Sequence, residues 1–196
     1  MSYRIEEKIS LTKYDSYNFY EYLKNLGMKK LYESRLINTT YFDDNNYRMF
    51  TESEEGTRPR KKIRIREYDK NINNEFFFEK KLSTFEGRFK TSKKIDQIYK
   101  NNILNKGYYD NDYGLCFPKL IVSYVRNYYQ LFGTRITQDK QLEYFDYCNI
   151  NKKVSDPFII FEIKSSIYKS IEKLNSFIGS KNRFSKYSRA IIKLNL

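Results

Sequence analysis

Arg60-Lys61-Lys62-Ile63-Arg64-Ile65-Arg66-Glu67-Tyr68, then a polar turn over residues 69–74, then Phe76-Phe77-Phe78-Glu79-Lys80-Lys81-Leu82 is the stretch that sets the fold. Both halves alternate with a period of two, the period of a β-strand. Lys62, Arg64, Arg66 and Tyr68 share one face, with Ile63 and Ile65 on the other. In the second half Glu79 and Lys81 share a face, opposite Phe78 and Leu82. Two such runs joined by a polar turn predict a β-hairpin with a longer loop. One such hairpin is usually half-buried, with its charged face simply in water. The reading changes because the same pattern returns along the chain, and a surface of fixed positive charge favours a polyanion.

The 196 residues suffice for one domain, 1–196, with a substantial core. Twenty Tyr and 15 Phe mean that burial need not rely on Leu and Val. Lys and Arg total 37 against 24 Asp and Glu, a net charge of +13, so the expected partners are anionic: nucleic acid, nucleotide, polyphosphate or a membrane surface. The chain has no His, which excludes a His general base, a Ser-His triad and a His-ligated metal. Cys116 and Cys148 lack metal-ligand spacing and point to a reducing compartment rather than a disulfide. No apolar run reaches the length of a membrane span, and the N-terminal residues lack the apolar core of a signal peptide. A soluble, cytoplasmic protein is expected.

Residues 3–10 read as a strand carrying Arg4, Glu6 and Lys8 on one face. A helix is expected over 15–26, with Phe19, Tyr22, Leu23 and Leu26 as its stripe and Gly27 as its stop. Residues 34–43 read as a strand and 47–52 as a short helix. Beyond the hairpin comes a short strand at 85–90. Ser92 is then the expected cap of a helix to Asn105 with Ile95, Ile98, Tyr99 and Ile103 inward. Residues 106–117 read as a loop, and 118–131, 134–139, 141–150 and 157–165 as strands. Helices over 169–178 and 185–193 close the chain. About eight strands and four helices without regular βαβ alternation predict an α+β fold. Its expected form is an antiparallel eight-stranded β-barrel with helices packed outside.

Charged residues recur at period two on six strands: Arg4/Glu6/Lys8, Lys62/Arg64/Arg66, Glu79/Lys81, Tyr124/Arg126, Arg135/Asp139 and Glu162/Lys164. A barrel with its apolar faces outward would turn these toward a polar tunnel. Many cations with a few carboxylates suit a chain of phosphates bridged by a divalent metal. So many like charges are costly to bury without anions or water. No RNA-binding signature or exposed stacking platform is present, so nucleic acid is not the favoured partner.

The ordered series Arg4-x-Glu6-x-Lys8, Ser34…Tyr41-Phe42-Asp43, Lys62-x-Arg64-x-Arg66-x-Tyr68, Glu79-x-Lys81, Tyr124-x-Arg126, Arg135-x-Thr137-x-Asp139, Glu162-x-Lys164 and Ser185-Lys186-Tyr187 resembles the VTC domain. This is the catalytic domain of the vacuolar transporter chaperone complex and its bacterial relatives, in the triphosphate tunnel metalloenzyme (CYTH-like) superfamily. The resemblance implies a polyphosphate polymerase that uses ATP, adds to polyphosphate and requires Mn²⁺ or Mg²⁺. It assigns phosphate binding to Arg4, Lys8, Lys62, Arg64, Arg66, Lys81, Lys90, Tyr124, Arg126 and Lys186. It assigns catalysis to Arg64, Arg66, Lys81, Arg126 and Glu162, and metal binding to Glu162 with Glu6 and Glu79. Asp43 and Asp139 read as structural or turn residues. The chain is compact for the family, and Asp44 stands where a small hydroxyl residue is common. Two other function classes remain open: a tunnel hydrolase of triphosphate or nucleoside triphosphates, and a non-catalytic binder of polyphosphate or nucleic acid.

Overall fold

The computed structural model describes residues 5–68, 75–165 and 184–196. Arg4, the turn at 69–74 and the helix expected over 169–178 lie outside them. The elements in order are β1 (Ile5–Leu11), α1 (Lys13–Asn25), β2 (Lys29–Asp43), α2 (Arg48–Glu55), β3 (Arg60–Tyr68), β4 (Glu75–Ser83), β5 (Arg88–Ile95), α3 (Gln97–Lys106), β6 (Tyr108–Asp110), β7 (Gly114–Leu131), β8 (Thr134–Asp146), β9 (Lys153–Asp156), β10 (Ile159–Ser165) and α4 (Lys186–Leu194).

The fold is α+β. Its ten strands follow the hydrogen-bonded order β1-β10-β8-β7-β2-β3-β4-β5, with β6 beside β7 and β9 beside β8. The eight-stranded closed barrel is therefore corrected: among the described residues the path is open at β1 and β5. The free strand β5 carries Arg88, Lys90, Lys93 and Lys94, and every residue in it but Ile95 is exposed. Charged, exposed edge strands of this kind resist adding a further strand.

Local chemistry explains most of the elements. Thr12 caps α1, its Oγ1 accepting from the Asp15 amide at 3.2 Å. Gly27, at φ +92°, follows the helix in a left-handed conformation that L-residues rarely adopt. Phe132 and Gly133, with φ of 50° and 69°, form the two-residue link between β7 and β8. Positive φ at both central residues is what a type I′ hairpin turn requires.

Several sequence expectations are corrected. Ser92 does not cap a helix: β5 continues to Ile95, paired with β4 from Ser83↔Arg88 to Phe76↔Ile95. Asp96 caps α3 instead, accepting from the Tyr99 amide at 2.7 Å. The ladder to β4 outweighs the local preference of Ser92 for a cap. Of the helical face expected there, Ile103 is buried and Ile98 is exposed. The expected loop over 106–117 holds β6, whose Tyr108 pairs with Cys116 and whose Asp110 pairs with Gly114. The two strands read at 134–139 and 141–150 are one, β8, with Gln141 at a left-handed φ of 55° inside it. Both cysteines are free.

The chain divides into two compact units, residues 1–36, 124–142 and 155–184, and residues 37–123, 143–154 and 185–196. In the first unit, α1 sets Phe19 and Leu23 against Ile9, Tyr129, Leu131, Ile136, Phe161 and Ile163. Phe19 meets Phe161 edge-to-face at 4.9 Å. In the second, Met49 of α2 and Ile103 of α3 join Phe42, Ile63, Ile65, Phe76 and Phe78. Each such side chain contributes roughly 1.5–3 kcal/mol when fully buried. In both units α1, α2 and α3 cover the apolar strand faces, which leaves the charged faces on the other side of the strands.

Candidate functional site

In the second unit, register sets the charged residues in rows. The predicted hairpin is present, from Arg60↔Ser83 to Tyr68↔Glu75. One row across the strands is Lys62–Lys81–Lys90, the next Tyr41–Arg64–Glu79–Ser92, the next Thr39–Arg66–Phe77–Lys94. These rows carry six cations and one carboxylate, Glu79.

Glu79 is buried at 2% exposure. Its Oε2 accepts from Arg64 Nε at 2.8 Å and Nη2 at 2.6 Å, and Arg66 Nη1 lies 3.9 Å away. Its Oε1 receives Lys90 Nζ at 2.5 Å. Burial alone would raise the Glu79 carboxyl, but the charges of Arg64 and Arg66 and the bond from Lys90 outweigh it and hold it down at about 2. Arg64 also donates to Tyr41 Oη at 3.1 Å. Lys90 is thus placed toward Glu79. Lys62 Nζ donates to Ser185 Oγ at 2.8 Å, and Lys186 follows Ser185 as the first residue of α4.

Asp43 serves the local structure, as the sequence suggested. It accepts from the amides of Asp44, Met49 and Phe50 and from the Tyr187 hydroxyl at 2.5 Å. Burial raises it from 3.8 to about 6 despite those bonds. Tyr187 stacks on Tyr41 at 5.1 Å, which seats the start of α4 beside the cationic rows.

In the first unit the charges alternate. Lys8 stands opposite Glu162 and Glu6 opposite Lys164. Lys164 Nζ lies 2.7 Å from Glu162 Oε1 and 3.3 Å from Glu6 Oε2, and Lys8 Nζ lies 3.4 Å from Glu6 Oε1. Arg126 grips Asp139 with two bonds of 2.5 and 2.7 Å and reaches Glu162 Oε2 at 3.5 Å. Tyr124, buried, lies beneath Arg126, whose guanidinium carbon is 5.4 Å from the ring centre. Burial opposes charge on Glu162, but Lys8, Arg126 and Lys164 hold its carboxyl well below the usual range. Arg126 is held well above its ordinary value against its own burial, by Tyr124 and Asp139.

Sequence reasoning missed Asp139 as the bidentate partner of Arg126. The signal was present in its alignment with Arg135 and Thr137 on one strand face. Tyr41 and Ser185 stood in the motif series without a role and Ser92 was read as a helix cap; strand register sets Tyr41 and Ser92 beside Arg64 and Glu79, and the bond from Lys62 brings in Ser185. Ser34, part of the motif series, is elsewhere: it donates to Asn127 Oδ1 at 2.6 Å and lines a cavity of about 270 Å³ with Tyr20, Tyr129 and Lys140.

Among the described residues no group of three or more acidic or Cys side chains forms a metal cage. Magnesium-like ions are commonly held by one or two carboxylates plus substrate phosphates. Glu162 and Glu6, which already bracket one ammonium, fit that pattern. Glu79, whose two oxygens are engaged by three cations, fits it less well.

A model of the VTC domain matches residues 3–113. None of the curated protein sequences matches this chain significantly. Among solved structures, a candidate adenylate cyclase from Bacillus halodurans superposes with a TM-score of 0.66 at 16% identity, covering 96% of this chain and 98% of its own. A candidate adenylyl cyclase from Hippeastrum, described as having a dominant triphosphatase activity, gives 0.63 at 14% identity, covering 97% and 96%. A Pyrococcus horikoshii protein gives 0.62 at 17% identity, covering 97% and 99%. At these identities the likeness is one of fold.

Proposed function

This chain belongs to the VTC domain family, and from that premise we propose that it is a polyphosphate polymerase formed by one VTC-like domain over 1–196. The terminal phosphoryl group of ATP passes to the end of a polyphosphate chain. The bond from phosphorus to the ADP oxygen breaks, a bond to the acceptor's terminal phosphate oxygen forms, and ADP leaves. The acceptor is already anionic, so the lack of His is no obstacle, and alignment with charge neutralisation supplies most of the catalysis.

The observation that carries this reading is the row Lys62–Lys81–Lys90. Like charges directly opposite one another across strands destabilise a sheet, and a chain of phosphates would reverse that cost. Lys62, Lys81, Lys90, Arg64 and Arg66 are the phosphate-binding residues of this reading, joined by Lys8, Arg126, Tyr124, Lys186 and Arg4. Glu162, with Glu6, would hold Mn²⁺ or Mg²⁺, which when bound neutralises phosphate charge. Glu79 keeps Arg64 and Lys90 in place.

A second reading is favoured by the triphosphatase activity described for the Hippeastrum neighbour. Here water takes the acceptor's place and orthophosphate is released. Incubation with ATP and Mn²⁺, resolved on a polyphosphate-staining gel beside Glu162→Gln, separates the two. A ladder absent from the variant is the expected result. Orthophosphate without a ladder replaces the polymerase by the hydrolase. No turnover, with ATP still bound, removes both in favour of a non-catalytic binder.

A further inference from the structure

The alternating charges of the first unit place a cation between its two candidate metal-holding carboxylates. Lys164 Nζ touches Glu162 Oε1 at 2.7 Å and Glu6 Oε2 at 3.3 Å. The other oxygens face Arg126 at 3.5 Å and Lys8 at 3.4 Å. With Asp139 on Arg126, three cations and three carboxylates join in one network of zero net charge. Thr137, directly opposite Glu162 on β8, is 3% exposed, and its hydroxyl has no hydrogen-bond partner among the described residues. A buried hydroxyl in that condition is costly unless an incoming group uses it.

We propose that Lys164 is a resident counter-ion. Its ammonium occupies, between Glu162 and Glu6, the place a divalent cation takes, and it leaves when that cation binds, with the Thr137 hydroxyl as a further oxygen donor. The proposal rests on the reading that these carboxylates hold a metal. Without Lys164, Glu6 and Glu162 would repel each other. With it, both are held ready at bonding distance. A dication and the ammonium cannot share the position, because like charges a few ångströms apart repel strongly at partly buried sites. The lysine stem is flexible and its side chain is 27% exposed, so the ammonium can move to water or to a substrate phosphate. Lys164 is therefore a positioning residue that lowers the affinity for free metal.

The test measures Mn²⁺ binding directly, from the loss of the free-ion electron paramagnetic resonance signal, without nucleotide. Lys164→Met and Lys164→Gln are expected to bind Mn²⁺ about tenfold tighter than the unaltered chain, a gain equal to losing one modest competing ion pair. Both should melt lower than the unaltered chain without metal and regain more on adding Mn²⁺. Thr137→Val is expected to weaken Mn²⁺ binding a few-fold. Unchanged or weaker binding in both Lys164 variants, with binding intact in the unaltered chain and abolished in Glu162→Gln, overturns the counter-ion role alone. Absence of Mn²⁺ binding from all of these proteins overturns the metal-dependent reading as well.

Discussion

The two charged surfaces use the same residue types in opposite ways. On β1, β7, β8 and β10, Lys8, Lys164 and Arg126 alternate with Glu6, Glu162 and Asp139, so that each charge has an opposite neighbour across the strands or along them. On β3, β4 and β5, Lys62, Lys81 and Lys90 stand in line, and Glu79 is the one carboxylate in the three rows. These six charges balance one another without any ligand, and Arg135, opposite Lys164 on β8, adds one more cation to that face. The second surface carries more cations than its rows carry carboxylates, a surplus that suits an anion. A cation-holding role suits the balanced network, where carboxylates are poised and metal exchanges against an ammonium. An anion-holding role suits the surplus.

The largest effect expected from this contrast is on turnover. Glu162→Gln should lower the Mn²⁺-dependent rate by on the order of a hundredfold or more, while tripolyphosphate binding measured by calorimetry without metal stays within a few-fold. A parallel collapse of anion binding would break the division of roles.

Stability comes next. Arg64→Ala leaves the Glu79 carboxylate buried with weaker compensation and should cost about 3 kcal/mol in urea unfolding. Added sulfate should not restore it, because the missing group is a cation. Glu79→Gln should instead leave a cationic surface whose melting temperature climbs with sulfate more steeply than in the unaltered chain.

Acid titration gives a subtler test, with two signs in one unit. Glu79 is depressed in the folded state, so its stabilisation is present above 4.5 and lost as pH falls toward about 2. Asp43 is raised, so its contribution is present below 3.8 and lost as pH climbs through about 6. Urea midpoints taken from pH 2 to 7 should lose the acid limb in Glu79→Gln and the fall between 4 and 6 in Asp43→Asn. A profile unchanged in either variant removes the corresponding assignment. The smallest effect is that of Lys81→Ala, which should weaken tripolyphosphate binding only a few-fold and flatten its salt dependence. A loss as large as that of Glu162→Gln in turnover would show that the row acts as a unit.

The alternation of Lys62-Ile63-Arg64-Ile65-Arg66 and of Ile160-Phe161-Glu162-Ile163-Lys164 made the faces readable, because side chains in a strand alternate by steric necessity. It also revealed which residue types would meet an anion. The ends of β5 and the cap of α3 were not readable. Ser92 is a sound local cap, and only the ladder to β4, a long-range interaction, makes it a strand residue. The closure expected of the sheet failed for a related reason: strand count and hydrophobic alternation do not say whether edges meet, and the lysine-rich β5 leaves one free among the described residues.

The sequence by itself determined the α+β class, the central hairpin and the charged faces, since each follows from periodicity over neighbouring residues. The motif series also carried the family. Only the tertiary structure decided which charges balance: that Glu79 belongs to Arg64 and Lys90, Asp139 to Arg126, and Lys164 to both Glu162 and Glu6. Those pairings depend on register between strands far apart in the chain, and register is set by the packing of apolar faces beneath helices rather than by the charged residues themselves.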